Sequence, residues 1–188
     1  MIGIDEVGRG PLAGPITVAA VMLRDKGQGA RAKLFKNIKD SKKLSPEKRQ
    51  EFFLKLKELP HSVTSVSNVL IDKIGISAAA RLAVGRCLKK LKIENCKLKI
   101  LLDGSLYAPR TYQNQETIIK GDEKIPLIAA ASIIAKVKRD GYMVRMHKIF
   151  PEYGFVVHKG YGTKFHREAI KIHGLCAIHR KSFCKKFV

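Results

Sequence analysis

The string Gly3-Ile4-Asp5-Glu6-Val7-Gly8-Arg9-Gly10 constrains this chain more than any other. A short apolar run ends in two adjacent acids and then in Gly-Arg-Gly. A second apolar run rich in Ala and β-branched residues follows at once. The pattern predicts strands over residues 1–5 and 16–23, joined by the Gly-rich turn 8–15. Side chains alternate along a strand, so Asp5 and Glu6 cannot share a face. The strand is therefore expected to break at Glu6.

The remaining periodicities extend this start. Ser45-Pro46-Glu47 supplies an N-cap, a proline at the first helical position and an acid in the first turn. Phe52, Phe53, Leu56 and Leu59 form the buried stripe of that helix, which Pro60 ends. A third strand is expected over 63–67. Helical spacing over 76–91 puts Ile76, Ala80, Ala83, Val84, Cys87, Leu88 and Leu91 on one face. Residues 98–102 are continuously apolar and end in Asp103-Gly104, the pattern of a strand covered on both faces. Another short strand over 117–120 ends in Gly121-Asp122. Residues 125–149 read as mainly helix, with Ala129-Ala130-Ala131 tightly packed. A last helix over 163–172 closes at Gly174. Residues 24–43 read mostly as loop. This order defines an α/β chain: a central mixed β-sheet flanked by helices, with a small C-terminal helical portion. The expected division is 1–150 for the main domain and 151–188 for that portion.

Charge bounds the partner. The chain has 188 residues and carries 37 Lys and Arg against 16 Asp and Glu, a formal net charge of +21. From Lys136 onward the only acids are Asp140, Glu152 and Glu168. Nucleic acid is the partner such a field suits; the alternative is a solvated basic surface. No apolar run reaches the roughly 20 residues that span a bilayer, so no membrane is expected. No signal peptide is seen. Cys87, Cys96, Cys176 and Cys184 show no metal-ligand spacing and read as reduced thiols of a cytoplasmic protein. Nothing suggests an obligate dimer, and a monomer is expected.

Asp5, Asp103 and Asp122 each follow a predicted strand. Strand ends of an α/β sheet gather at one edge, where ligands bind. Three carboxylates there, with Glu6 beside them, would repel one another unless divalent cations sat among them. Oxygen-only ligands favour Mg²⁺ or Mn²⁺ over zinc. As single residues, each acid could equally be a cap or turn residue. Gly8-Arg9-Gly10 offers close backbone approach to a phosphate or sugar edge, or is a plain tight turn. In His158-Lys159-Gly160-Tyr161-Gly162-Thr163, Tyr161 could stack on a sugar or base, or pack on the core. Ser132, Lys136, Arg139 and Asp140 lie on one helix. Lys136 and Asp140 are spaced to pair across a turn, and Asp140 is assigned a structural role.

These strings, with Asp40-Ser41-Lys42-Lys43-Leu44, Ala130-Ala131-Ser132-Ile133-Ile134-Ala135-Lys136-Val137-Lys138-Arg139-Asp140 and Ile178-His179-Arg180-Lys181-Ser182-Phe183, resemble the ordered motifs of ribonuclease HII. The resemblance covers nearly the whole chain. It implies an RNase H-like fold, hydrolysis of the RNA strand in RNA–DNA hybrids, and incision 5′ of single ribonucleotides in duplex DNA. Asp5, Glu6, Asp103 and Asp122 match the family's catalytic, metal-binding carboxylates. Gly8, Arg9, Gly10 and Tyr161 match its reader of the RNA–DNA junction, and Lys42, Ser132, Lys136 and Lys159 join the expected substrate contacts. Cys176-Ala177 stands where the family usually has prolines. With little before Ile4, the extra N-terminal domain of the HIII type is not expected.

The expected mechanism uses two ions. One, held by Asp5 and Asp103 with Asp122, activates water; the other, held by Asp5 and Glu6, stabilises the leaving 3′ oxygen. Products with 3′-OH and 5′-phosphate ends are implied by the resemblance. A non-enzymatic RNA-binding protein fits the composition equally but gives no reason for the acids. A nuclease of the same fold acting on other substrates gives no reason for the Gly-Arg-Gly and Gly-Tyr-Gly strings.

Overall fold

The computed structural model describes residues 1–23, 35, 38, 44–93 and 98–187. The expected loop over 24–43 lies almost entirely outside these residues, as do Lys42 and Cys96. Five strands form one sheet: β1 Ile2–Val7, β2 Ile16–Met22, β3 His61–Val66, β4 Ile100–Asp103 and β5 Gln115–Ile118, in the order β3-β2-β1-β4-β5. The pairs β1·β2 and β2·β3 are antiparallel; β1·β4 and β4·β5 are parallel. The mixed sheet inferred from sequence is therefore present.

The helices are α1 Pro46–Leu56, α2 Asn68–Ile74, α3 Ile76–Lys90, α4 Gly121–Lys124, α5 Pro126–Ile149, α6 Phe155–His158, α7 Lys164–His173 and α8 Lys181–Cys184. Ser45 caps α1 by accepting from the Lys48 amide, and Thr163 caps α7 by accepting from the His166 amide. Helix α2 was not anticipated. Its seven residues are too few for the apolar spacing to declare itself, although Ser67 caps it from the Leu70 amide.

Two apolar layers sandwich the sheet. Ile2, Ile4, Ile100 and Leu102 face α3, where Ala83, Val84, Cys87 and Leu88 complete a buried cluster. The opposite face packs on α5, with Ala129, Ala130 and Ala131 buried beside Ala19, Val21 and Leu56 of α1. Helix α5 passes so close to β1 that a Cβ on Gly3 would lie 2.5 Å from the Leu127 carbonyl group. Only glycine admits that approach. A third cluster joins Leu12 and Ala13 of the Gly-rich turn to Met143 of α5 and to Tyr153, Phe155, Ile170, Ile178 and Cys184. The C-terminal helices thus pack directly on the turn between β1 and β2. Among the described residues no helix is long and apolar enough to cross a membrane.

One detail departs from the expectation. Strand β1 does not break at Glu6; it pairs with β2 through Glu6↔Val18 and Val7↔Thr17. The break comes at Gly8, whose φ of +90° an L side chain rarely adopts. Ladder pairing therefore holds both acids in regular alternation.

Candidate active site

Strands β1 and β4 are parallel and paired through Ile4↔Leu102. Asp103 stands one residue further on, at the end of β4; Asp5, expected just past a strand, instead lies within β1, one residue beyond its last pair with β4 and still paired with Ala19 of β2. Alternation places Asp5 on the α5 side, where it is buried and bonded to the Ser132 side chain. Its Oδ1 also accepts the Glu6 amide at 2.7 Å. Glu6 faces the α3 side, two residues beyond Ile4, and its Oε1 lies 3.6 Å from the Arg9 guanidinium. Asp103 Oδ1 accepts the Gly121 amide at 2.6 Å and the Asp122 amide, loosely, at 3.4 Å. Asp122 is buried in the first turn of α4, so it belongs to a short helix rather than to the tail of a strand. Lys120 makes the junction in a left-handed conformation, φ 54°.

These contacts bring Asp5, Glu6, Asp103 and Asp122 to one edge of the sheet. Burial, then Glu6, then Asp103 raise the Asp5 carboxyl well above the usual range. Burial also raises Glu6, with Arg9 opposing and Asp103 reinforcing. Asp5 and Glu6 thus resist ionisation together. Among the described residues no three Asp, Glu, His or Cys stand close enough to form a ready-made ligand set. Strand alternation turns Asp5 and Glu6 to opposite faces. The donor chemistry nevertheless suits a hard cation. All four acids offer oxygen, and Glu6 Oε2 is buried without a hydrogen-bond partner among the described residues.

The other expected contacts divide. Ser132 belongs to the carboxylate edge through Asp5. Lys136 instead pairs with Asp140 at 3.0 Å, the spacing anticipated for a structural pair. Lys159 turns its ammonium back onto the Val156 carbonyl of its own helix. Its backbone carbonyl, not its charge, engages the core by accepting from Arg139 at 3.0 Å. Gly10 opens to free space, and Tyr161 is 42% exposed, with its ring 5.9 Å from the Arg139 guanidinium.

Two residues named in the sequence strings organise this region in a role that the sequence did not show. Arg180 is fully buried and donates to the carbonyls of Gly8 (2.6 Å), Arg9 (2.9 Å) and Gly14 (3.0 Å). Arg139, also fully buried, donates to Pro15 (2.9 Å), Ala13 (3.1 Å) and Lys159. Each spends its planar fork on backbone carbonyls. The Gly-Arg-Gly turn is therefore clamped from within rather than flexible. An arginine's sequence neighbours do not disclose such a role; the apolar residues around Arg180, Ile178 and Phe183, were the available hint.

A chain of imidazoles links the tail to Tyr161. The Cys176 amide donates to His179 Nδ1 at 2.9 Å. His179 Nε2 lies 3.0 Å from His166 Nε2, and His166 Nδ1 lies 2.9 Å from the Tyr161 carbonyl. A carbonyl only accepts, so the proton order is fixed: His179 donates to His166, and His166 donates to Tyr161. Both rings are neutral in this arrangement. The pair Cys176-Ala177 thus leaves the tail geometry well defined, with the Cys176 amide in use as a donor.

Burial lowers His166 and His179 to about 4 each, from an ordinary value near 6.5. Between those values the unfolded chain binds protons that the native chain refuses. Their contribution to stability is full above about pH 6.5 and is lost as pH falls toward 4. At pH 5, ring resonances of His166 and His179 are expected to report neutral imidazole. A ring titrating near 6 at either position would contradict the relay.

The sheet order, the layered helices and the acids within β1 and at the end of β4 define an enzyme of the RNase H-like fold. Two solved structures share it. The ribonuclease HII of Archaeoglobus fulgidus, in a complex with PCNA, superposes with a TM-score of 0.77 at 29% identity over 96% of this chain and 92% of that one. The ribonuclease H2 of Pyrococcus horikoshii OT3 superposes with a TM-score of 0.75 at 27% identity over 99% and 95%. Ribonuclease HII of Caldicellulosiruptor bescii is 43% identical over 188 residues, 99% of this chain and 87% of the relative. The ribonuclease HII family model matches residues 2–186, and the chain belongs to that family. Its activity is that of a ribonuclease H, endonucleolytic on the RNA strand of RNA–DNA hybrids.

Proposed function

We propose that this enzyme incises duplex DNA 5′ of single embedded ribonucleotides as well as cutting hybrids, leaving 3′-OH and 5′-phosphate ends. The observation that carries this reading is the fusion of two features within β1 and its turn. Asp5 and Glu6 open the carboxylate edge, and Gly8-Arg9-Gly10 follows within the same rigid segment. Asp5, Glu6, Asp103 and Asp122 would hold two divalent ions, Mg²⁺ or Mn²⁺. Bound there, the ions would supply a water of lowered pKa and charge stabilisation at the phosphate.

The protein's own residues do the rest. Ser132 fixes the Asp5 carboxylate, and the Gly121 amide fixes Asp103, so both acids are held before substrate arrives. The clamped backbone of Gly8 to Gly10 tests for a 2′-OH, the one chemical mark of a lone ribonucleotide. Tyr161 stacks on the neighbouring deoxyribose and disfavours a second ribose there. Its backbone is set by His166, and its ring lies along Arg139. Residues 151–188 act as a helical portion contributing to substrate binding, consistent with their packing on the turn. The basic surface holds the duplex backbone without reading sequence.

The test is a duplex carrying one ribonucleotide, incubated with and without Mg²⁺ or Mn²⁺, with product ends mapped. A metal-dependent nick 5′ of the ribonucleotide is expected, abolished by chelation. Tyr161→Ala is expected to reduce that nick about tenfold more than it reduces cutting of a long hybrid, a differential of roughly 1.4 kcal/mol. Equal losses on both substrates would remove Tyr161 from junction reading.

A further inference from the structure

The side chain of Arg9 has a use that the backbone role of its turn does not explain. It leaves the turn toward α3, where its Nη2 donates to Ser77 Oγ at 3.1 Å. There it lines a cavity of about 240 Å³ with Ser77, Arg81, Ser105 and Tyr107, between α3 and the loop after β4. No acid lines this cavity among the described residues. Arg81 lies one helical turn beyond Ser77, is exposed, and forms no ion pair among the described residues. Two guanidinium groups line it together with the hydroxyls of Ser77, Ser105 and Tyr107.

The volume decides what fits. Pockets for small organic ligands run from roughly 300 to 1,000 Å³. This one suits a single small anionic group rather than a base or a nucleoside. Paired arginines with hydroxyl donors are the chemistry of phosphate recognition. The position decides which phosphate. The same Arg9 guanidinium lies 3.6 Å from Glu6, so the cavity is one guanidinium away from the carboxylate edge. Ser105 also lies two residues beyond Asp103. A strand cut at that edge would carry its next phosphate over the cavity.

We propose that this cavity binds one backbone phosphate of the cleaved strand, adjacent to the scissile one, through Arg9 and Arg81. The proposal rests on the functional reading above. It makes Arg81 a substrate-binding residue and gives Arg9 two jobs, its carbonyl braced by Arg180 and its side chain on the substrate. Registering a second phosphate would fix the distance from the junction to the cutting position.

Neutral methylphosphonates placed one at a time along both strands test this, with duplex binding followed by anisotropy in chelator, where no cutting occurs. On the wild-type protein, one position next to the scissile phosphate is expected to weaken binding roughly three- to tenfold more than its neighbours. Arg81→Ala is expected to bind the unmodified duplex that much more weakly and to be indifferent to the same methylphosphonate. Its salt slope should fall by about 0.9, the value of one phosphate contact. Because Arg81 is exposed on α3, its thermal unfolding should not change. A sensitive position on the uncut strand, or losses that add in Arg81→Ala, would overturn the proposal. A protein that cuts long hybrid yet leaves a duplex with one ribonucleotide intact in Mg²⁺ or Mn²⁺ would instead refute the functional reading itself.

Discussion

Asp103→Asn is expected to bind a ribonucleotide-containing duplex as the wild type does, yet to cut it about three orders of magnitude more slowly. That loss corresponds to about 4 kcal/mol, the scale of removing one charge-stabilising group from a preorganised site. The fold should survive, because an amide oxygen can still accept the Gly121 amide that Asp103 now accepts. Stability without metal should hold or rise, since one charge that presses on Asp5 and Glu6 has gone. The rise in melting temperature on adding Mg²⁺ or Mn²⁺ should shrink. Single-turnover cleavage, anisotropy and thermal unfolding check the three parts separately. Wild-type cleavage in the variant would remove Asp103 from the site.

Arg180→Ala is expected to destabilise the protein by about 3–5 kcal/mol, the cost of stripping a buried charged group from its partners. For a chain of this length that is about 10 °C in melting temperature. The physical reason is specific. The variant leaves the Gly8, Arg9 and Gly14 carbonyls without their donor in a space closed to bulk water. What survives folding should show a loosened turn, with incision at single ribonucleotides falling further than cutting of long hybrids. Arg180→Lys should recover part of the stability, because an ammonium cannot span three carbonyls as a guanidinium does. A melting temperature unchanged in Arg180→Ala would show that water replaces the clamp at no cost.

The sequence announced some of this architecture and concealed the rest, for physical reasons. Strands declare themselves when they are buried on both faces, so residues 98–102 were legible as β4. Caps declare themselves when a hydroxyl precedes a proline or an apolar stripe, so Ser45 marked α1. Asp5, Glu6 and Asp103 were legible because acids are conspicuous in a chain with a net charge of +21. The break expected at Glu6 was misplaced. It rested on the acids needing one face, whereas pairing with β2 keeps the strand regular and lets the sheet edge gather acids from both faces. Asp122 was found but its setting was not, since a four-residue helix has no periodicity to read. Arg139 and Arg180 stood in the sequence only as members of longer strings. Burial against backbone carbonyls is a long-range property, and no local pattern encodes it.

The clamp also orders events in time. A ribosome releases Gly8 172 residues before Arg180, the side chain that braces its turn. In the nascent chain the β1–β2 hairpin can pair locally while its turn still lacks its donors. The carboxylates of β1 therefore exist well before the Gly-Arg-Gly turn is rigid. On the proposed reading, discrimination for a lone ribonucleotide is the last property to mature, and the first to be lost if proteolysis frees the segment that carries Arg180.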